Sequence, residues 1–306
     1  MNSNLTLRVA FLLTLPPLMW AANAVVGRMA VGVVPPVLLN LLRWTVVALL
    51  LLPLAWPVLR QPALIRERWQ HLSILGLLGM GSYNALQYLA LHTSTPLNVT
   101  LIAASSPVWM LAIGAVFYKV QPRREDLIGA ALSLAGVVLV ISRGELDRLL
   151  SISFVVGDLL MLAAIISWGF YSWLLARPPA HMQGAARPKW DWAQFLWVQT
   201  MFGLGWCVLS AGTEFAISGE EIRWTPWVPV LLLFIAVGPS LIAYRCWGLG
   251  VASVGPAITA FFGNLTPLFA AVLSAALLGE LPRLYHGLAF ALIVAGIVVS
   301  ARKKPA

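Results

Sequence analysis

Charge is scarce in this chain. Only 10% of its 306 residues are Asp, Glu, Lys or Arg, whereas soluble proteins carry about 25%. That is too little to cover a soluble surface, so a soluble globular domain is excluded. Cysteine is almost missing. Cys207 and Cys246 both fall inside apolar stretches, which leaves no disulfide framework and no thiolate metal site; they read as small core fillers. The four histidines, His71, His92, His181 and His286, lie at segment ends or between segments without an acidic partner at useful spacing. A membrane-embedded enzyme acting on lipid-linked substrates would need such a set, and no metal or other cofactor is called for. No Walker loop is present, so the chain does not hydrolyse ATP. The net charge of +9 does not mark a nucleic-acid binder, because the basic residues sit in short clusters between apolar runs.

What the chain has is hydrophobic length. Sixty per cent of it is hydrophobic and its mean hydropathy is +0.86. Apolar runs of about 20 residues, each long enough to cross a bilayer, recur along it. Breaks at charged, Pro and Gly residues predict ten transmembrane helices, over 9–30, 36–59, 70–91, 97–118, 124–142, 155–176, 191–211, 226–248, 254–278 and 283–301. The first run contains Pro16 and Pro17 and lacks a small-residue cleavage site, so it reads as a retained helix. If both termini lie in the cytoplasm, 13 of the 20 Lys and Arg residues are inside and only Arg28, Arg143, Arg148, Arg223 and Arg283 are outside. This is the bias that sets orientation.

The chain repeats itself. LSLAGVVLV at 132–140 returns as LIVAGIVVS at 292–300. At the same offset of 160, Pro96 aligns with Pro256, Pro107 with Pro267, Pro122 with Pro282 and Gly136 with Gly296. Nearer the front of each half the offset is 148, which sets Trp20 against Trp168 and places a 12-residue excess in the 177–190 loop. Five helices per repeat is an odd number, so the second copy enters the membrane from the opposite side. The expected fold is therefore all-α integral membrane, ten helices in two inverted five-helix repeats, residues 1–150 and 151–306. Inverted repeats with a site near the midplane characterise secondary transporters.

The stretch YNALQYLALHTSTPLNVTLIAASSPVW (83–109) resembles the middle of an EamA-type repeat of the drug/metabolite transporter superfamily. So do LLRWTVVALLLLPL in the second helix, GDLLMLAAIISW in the sixth and LTPLFAAVLSAALLGELP in the ninth. The resemblance covers nearly the whole chain in two copies, and is greatest to YddG-type exporters of aromatic and other amino acids. It implies ten helices, both termini in the cytoplasm of a bacterial cell, an inner-membrane location and export of small metabolites. The Gly-Glu pair that commonly ends the fourth helix of a repeat stands as Gly279–Glu280 but is replaced by Lys119–Val120 in the first half, which weakens the two-fold symmetry.

Pro107 and Pro267 fall near the middles of the fourth and ninth helices and are expected to kink them. Freed carbonyls must then face protein or a water-filled cavity. At the same depth stand Trp20, Asn23, Tyr83, Asn84, Gln87, Trp109, Trp168, Tyr244 and Asn264. Interhelical hydrogen bonding accounts for such amides equally well one by one; their convergence with rings on one depth is what marks a substrate site. Arg43, inside the second helix, is a candidate carboxylate partner, whereas Arg245 reads as a snorkelling or capping residue. Asp158 reads as a helix cap, and no Asp or Glu is expected deep in a span. An aromatic, amide-bearing cavity suits a small zwitterion such as an amino acid. Export of another neutral or cationic metabolite or drug is the alternative, and a cation would want a buried carboxylate that is not visible here. Membrane lipid is the remaining partner, and the oligomeric state stays open.

Overall fold

The structure, a computed structural model, describes residues 5–30, 32–94, 96–145, 147, 150, 154–219, 222–278 and 284–302. Gly279–Glu280, Pro282, Arg283, Arg148, Lys303 and Lys304 lie outside the described residues. The described chain is helical and contains no strand. Six of its helices are long and apolar enough to cross a membrane, or seven when one bent pair counts as a single span.

Helix occupies each of the ten apolar stretches, but often in pieces. The first two are α1 (Leu7–Ala30) and α2 (Pro36–Ala55), the latter prolonged by a 3-10 turn at Trp56–Arg60. A short α3 (Pro62–Glu67) leads into α4 (Trp69–Gly76), which passes through a π-helical turn, Leu77–Ser82, into α5 (Tyr83–Thr93). The fourth stretch is α6 (Pro96–Ala104) and α7 (Ser106–Tyr118), and the next two are α8 (Arg124–Ser142) and α9 (Val156–Ala176). Then come α10 (Trp192–Ser218) and α11 (Val228–Ile235), which passes through a second π-helical turn, Ala236–Ile242, into α12 (Ala243–Val254). The chain closes with α13 (Pro256–Gly263), α14 (Thr266–Leu278) and α15 (Leu284–Ser300).

Two expected boundaries move outward. The seventh stretch continues to Ser218, where Gly219 at φ 61° ends the helix in the left-handed region that glycine enters freely. Glu214 therefore lies inside a helix, near its C-terminal end rather than deep in the span. The eighth continues to Val254, so Arg245 sits early in α12 rather than at a helix end, with its guanidinium 5.0 Å from the centre of the Trp192 ring.

The prolines also act differently from simple kinks. Pro107 stands in the first turn of α7 and Pro267 in that of α14, where the missing N–H would be unpaired anyway. Each follows a one-turn break. Ser105 N–H donates to Ile102 O at 3.0 Å, and Leu265 N–H to Phe262 O at 3.0 Å. The first break bends the fourth stretch by 43°.

Packing is inside out relative to a soluble protein. Phe117 and Leu209 are each 63% exposed and Val116 60%, while Asn40, Arg43, Ser133 and Thr259 are buried. Lipid is the solvent that suits such an exterior. Helices α8 and α15 run antiparallel at backbone contact: a Cβ added to Gly129 would stand 2.7 Å from Gly296 O, and one added to Gly136 would stand 2.8 Å from Ala289 O. Small residues are what allow two helices to approach this closely. Helices α2 and α10 also pair antiparallel, with Glu214 near one end of α2 and the Trp197 indole donating to Ala48 O near the other.

Candidate functional site

Rings from four helices meet at mid-bundle. Trp168 of α9 is the hub, with ring centroids 5.6 Å from Trp20 of α1, 5.4 Å from Tyr83 of α5, 5.3 Å from Tyr244 of α12 and 5.2 Å from Trp247 of α12. Trp20 also lies 5.4 Å from Trp247, and Tyr171 5.1 Å from Trp168. Most pairs are edge-to-face or tilted, the arrangements that aromatic quadrupoles favour. The cluster exists because Trp168 and Tyr171, and likewise Tyr244 and Trp247, are three apart and so share a helix face.

Hydrogen bonds fix the sealed side of the cluster. The Trp247 indole donates to Ser172 Oγ at 3.0 Å. The Tyr171 hydroxyl donates to Gln199 Oε1 at 3.3 Å, and the Tyr244 hydroxyl to Gly79 O. Gly79 lies in the first π-helical turn, and a Cβ there would stand 2.6 Å from the Tyr171 ring, so only glycine lets these elements close. Trp168, Tyr171, Tyr244 and Trp247 are all buried, whereas Trp20, Asn23, Tyr83, Gln87 and Trp109 are half-buried. The buried part of the cluster thus lies on the side of α9 and α12, and its half-buried part on the side of α1 and α5.

Trp109 stands on a second wall. It packs with Tyr83, Leu86 and Ile102 against a buried group formed by Ala90, Val99, Met161, Ala164 and Ile165. Asn264 is not brought to the rings; it is buried and donates to Ser133 Oγ of α8 at 2.8 Å. Two surface clefts lie away from all of these residues. One is between α2 and α10 beside Leu38, Leu41 and Ala211, the other beside Ser73, Phe202 and Trp206.

Arg43 is buried beside the cluster. Its Nε–H donates to Ser240 Oγ, an Nη2–H donates to Pro239 O at 3.1 Å, and an Nη1–H lies 3.5 Å from Asn84 Oδ1. Pro239 O also accepts from the Trp20 indole at 3.2 Å. One carbonyl in the second π-helical turn therefore joins the cation to the rings.

The carboxylates nearest the membrane interior serve as caps. Asp158 accepts from Val155 N–H at 2.9 Å, Asn98 Nδ2 at 3.1 Å and the Ser94 hydroxyl. Glu214 accepts from Val37 N–H at 3.0 Å and Leu38 N–H at 2.9 Å, satisfying the N-terminus of α2 from another helix. Outside the bundle, Arg68 holds the 177–190 loop by donating to His181 O and Ala186 O. In the 119–123 connection, a hydrogen bond to Asp126 raises the pKa of Arg123 above its ordinary value.

Sequence reasoning passed over Trp44, Ser240, Pro239 and Trp247. Trp44 and Trp247 look like ordinary apolar span residues, but the three-residue spacing from Tyr244 to Trp247 was a usable signal. The π-helical turns that aim Ser240 and Pro239 leave no comparable trace in hydropathy.

The EamA-like transporter family matches the chain twice, over residues 7–142 and 155–302. An uncharacterized transporter of Archaeoglobus fulgidus is 27% identical over 297 residues, 96% of this chain and 97% of its own length. The aromatic amino acid exporter YddG of Ancylobacter novellus is 25% identical over 294 residues, 92% of this chain and 93% of its own. A protein of known crystal structure, 21% identical, shares the fold with a TM-score of 0.72 over 96% of this chain and 97% of its own.

Proposed function

The chain belongs to the EamA-like transporter family, and from that premise we propose that it is a secondary transporter exporting small metabolites, amino acids and aromatic ones among them, from the cytoplasm by alternating access. The observation that carries the substrate class is the ring cluster around Trp168, with half-buried Trp20, Tyr83 and Trp109 on its accessible side. Rings accept an apolar side chain, and Asn23, Asn84, Gln87 and Arg43 offer polar groups for the charged end. The similarity to an aromatic amino acid exporter points the same way.

The proposed architecture is ten crossings in two inverted repeats, residues 1–150 and 151–306, in a bacterial inner membrane with both termini cytoplasmic. Several features separated by the repeat offset support it. The π-helical turns Leu77–Ser82 and Ala236–Ile242 coincide at the offset of 160. So do the one-turn breaks at Ser105 and Leu265. The close approach of Gly129 to Gly296 maps onto that of Ala289 to Gly136 under the same offset. Equivalent helices packed antiparallel are what a two-fold axis in the membrane plane requires. In this orientation the layer of Tyr171, Tyr244 and Trp247 closes the cytoplasmic side.

The test is efflux of labelled amino acids from liposomes containing purified protein. Trp109→Ala or Tyr83→Ala is expected to lower apparent affinity for phenylalanine several-fold to about tenfold, the scale of one lost aromatic contact. Alanine, having no ring, is expected to move with little change. Equal loss for both solutes would make these residues structural, and no efflux of any amino acid would overturn the substrate class.

A further inference from the structure

Arg43 is only 2% exposed, in the middle of an apolar bundle. The ion pairs among the described residues, Arg68–Glu67 and Arg123–Asp126, do not involve it. All its partners are neutral: a hydroxyl, a carbonyl and a distant amide oxygen. A buried guanidinium without a counter-charge is costly and is kept where an anion is bound at some stage. Further polar atoms on the same helix are unsatisfied. The Trp44 indole N–H, whose ring lies 5.5 Å from the guanidinium carbon, has no acceptor, and Asn40 Oδ1, one turn earlier, has no donor.

The neutral partners are divided between the two halves of the chain. Arg43 and Asn84 belong to the first, while Ser240 and Pro239 lie in the second π-helical turn. The guanidinium is thus a tie across the halves. It is one shared acceptor away from Trp20, so a solute with its ring against Trp20 and Tyr83 has its charged end on the Arg43 side.

We infer that Arg43 reads the carboxylate of the transported solute, and that the carboxylate draws the guanidinium away from Pro239 and Ser240 and so releases the π-helical turn of the second half from the first. A carboxylate accepts two parallel bonds from guanidinium and carries the missing charge, so it outcompetes a hydroxyl and a carbonyl. Binding and release are then one event, because a solute shifts a conformational balance only through contacts that differ between the two states. The inference rests on the amino-acid reading for the ring's position, not for the anion site.

Intrinsic fluorescence of the purified full-length protein can follow binding of phenylalanine, 3-phenylpropionate (carboxylate only) and phenethylamine (ammonium only). Wild type is expected to prefer 3-phenylpropionate to phenethylamine by about tenfold or more, the scale of one charge-assisted hydrogen bond. Arg43→Gln is expected to abolish that preference. Ser240→Ala, which removes a competitor for the guanidinium and leaves Arg43 in place, is expected to keep the preference and to tighten phenylalanine binding. It also serves if Arg43→Gln fails to fold. Absence of preference in wild type, equal weakening of all three ligands by Arg43→Gln, or weaker phenylalanine binding in Ser240→Ala would overturn the inference. If no amino acid binds but benzoate does so through Arg43, the anion site stands and the amino-acid reading falls. If phenylalanine binds indifferently to Arg43, the reverse holds.

Discussion

Trp20 and Trp168 stand edge to face with ring centroids 5.6 Å apart, and they occupy the same place in the two halves of the sequence. In the proposed cycle, a contact between equivalent positions maps onto itself when the two halves exchange conformations, and so persists while its neighbours change. An edge-to-face pair contributes about 0.5–1.5 kcal/mol beyond area burial. Trp20→Ala and Trp168→Ala are expected to weaken phenylalanine binding singly, and the double variant by less than the two losses added. A coupling of that size in a double-mutant cycle on affinity is the readout, and strict additivity would show that the rings do not act as a pair.

The α8–α15 seam makes a different demand. Gly129→Ala places a methyl 2.7 Å from Gly296 O, and Gly296→Ala places one 2.6 Å from Gly129 O. Neither obstacle is a flexible side chain, so the helices must separate. Overpacking of this kind destabilises by about 1–3 kcal/mol. Each variant is expected to melt lower in detergent. Gly205→Ala, with nothing within 4 Å of the added carbon, is expected to show no loss. Comparable melting of all three would mean the seam is looser than its geometry.

How far the sequence foretold this depends on the type of signal. Hydropathy located each helical stretch because lipid rewards length and apolarity directly. It missed the breaks inside the third and eighth, since a π-helical turn changes hydrogen bonding without changing composition, whereas Pro107 and Pro267 marked the interruptions of the fourth and ninth. It also ended α10 short of Ser218, because Glu214 reads as a polar stop until α2 is seen to present Val37 and Leu38 N–H groups to it. Of the site, Trp20, Tyr83, Trp168 and Tyr244 come together as depth and spacing required. Asn264 lies at a similar depth but is turned toward Ser133, and rotation about a helix axis is what a depth argument leaves undetermined.

Orientation can be read with single thiols, because native Cys207 and Cys246 are both buried. Ala180→Cys, exposed in the 177–190 loop, is expected to react with an impermeant maleimide only after the cells are opened. Trp224→Cys, 64% exposed on the connection before α11, is expected to react in intact cells. The reverse pattern would invert the topology and place the sealed aromatic layer on the outer side.

Asp158 and Glu214 are committed to capping, which bears on coupling. Each spends both oxygens on backbone or side-chain donors, so neither is idle to carry a proton. Glu214→Gln is expected to lower the melting temperature, through loss of about 0.5–2 kcal/mol of capping, and to leave the pH profile of efflux unaltered. Efflux in liposomes is expected to run down the solute's own gradient without an imposed proton or sodium gradient. Strict dependence on either gradient would reveal an ion site among residues that here serve as caps.

The two halves differ where symmetry would make them alike. At the offset of 160, Tyr244 and Trp247 stand opposite Asn84 and Gln87. The second half fills its face with rings and seals one side of the cluster through the Trp247–Ser172 hydrogen bond. The first half offers two amides at the same positions and leaves Gln87 half-buried. Rings bury far more apolar area than amides, so in the proposed alternating-access cycle the balance between conformations is biased toward closure on the side of Tyr244 and Trp247. Trp247→Gln makes the second half resemble the first and should weaken that bias. With Ser172→Cys as reporter, a position fully buried in the structure, the thiol is expected to react slowly when Trp247 is present and several-fold faster when it is Gln. A further Gln87→Trp change, restoring the asymmetry in the opposite sense, is expected to leave Cys at 172 still more reactive, because the rings then favour closure of the other side. Unchanged protection in both variants would mean that something other than aromatic bulk holds this side shut.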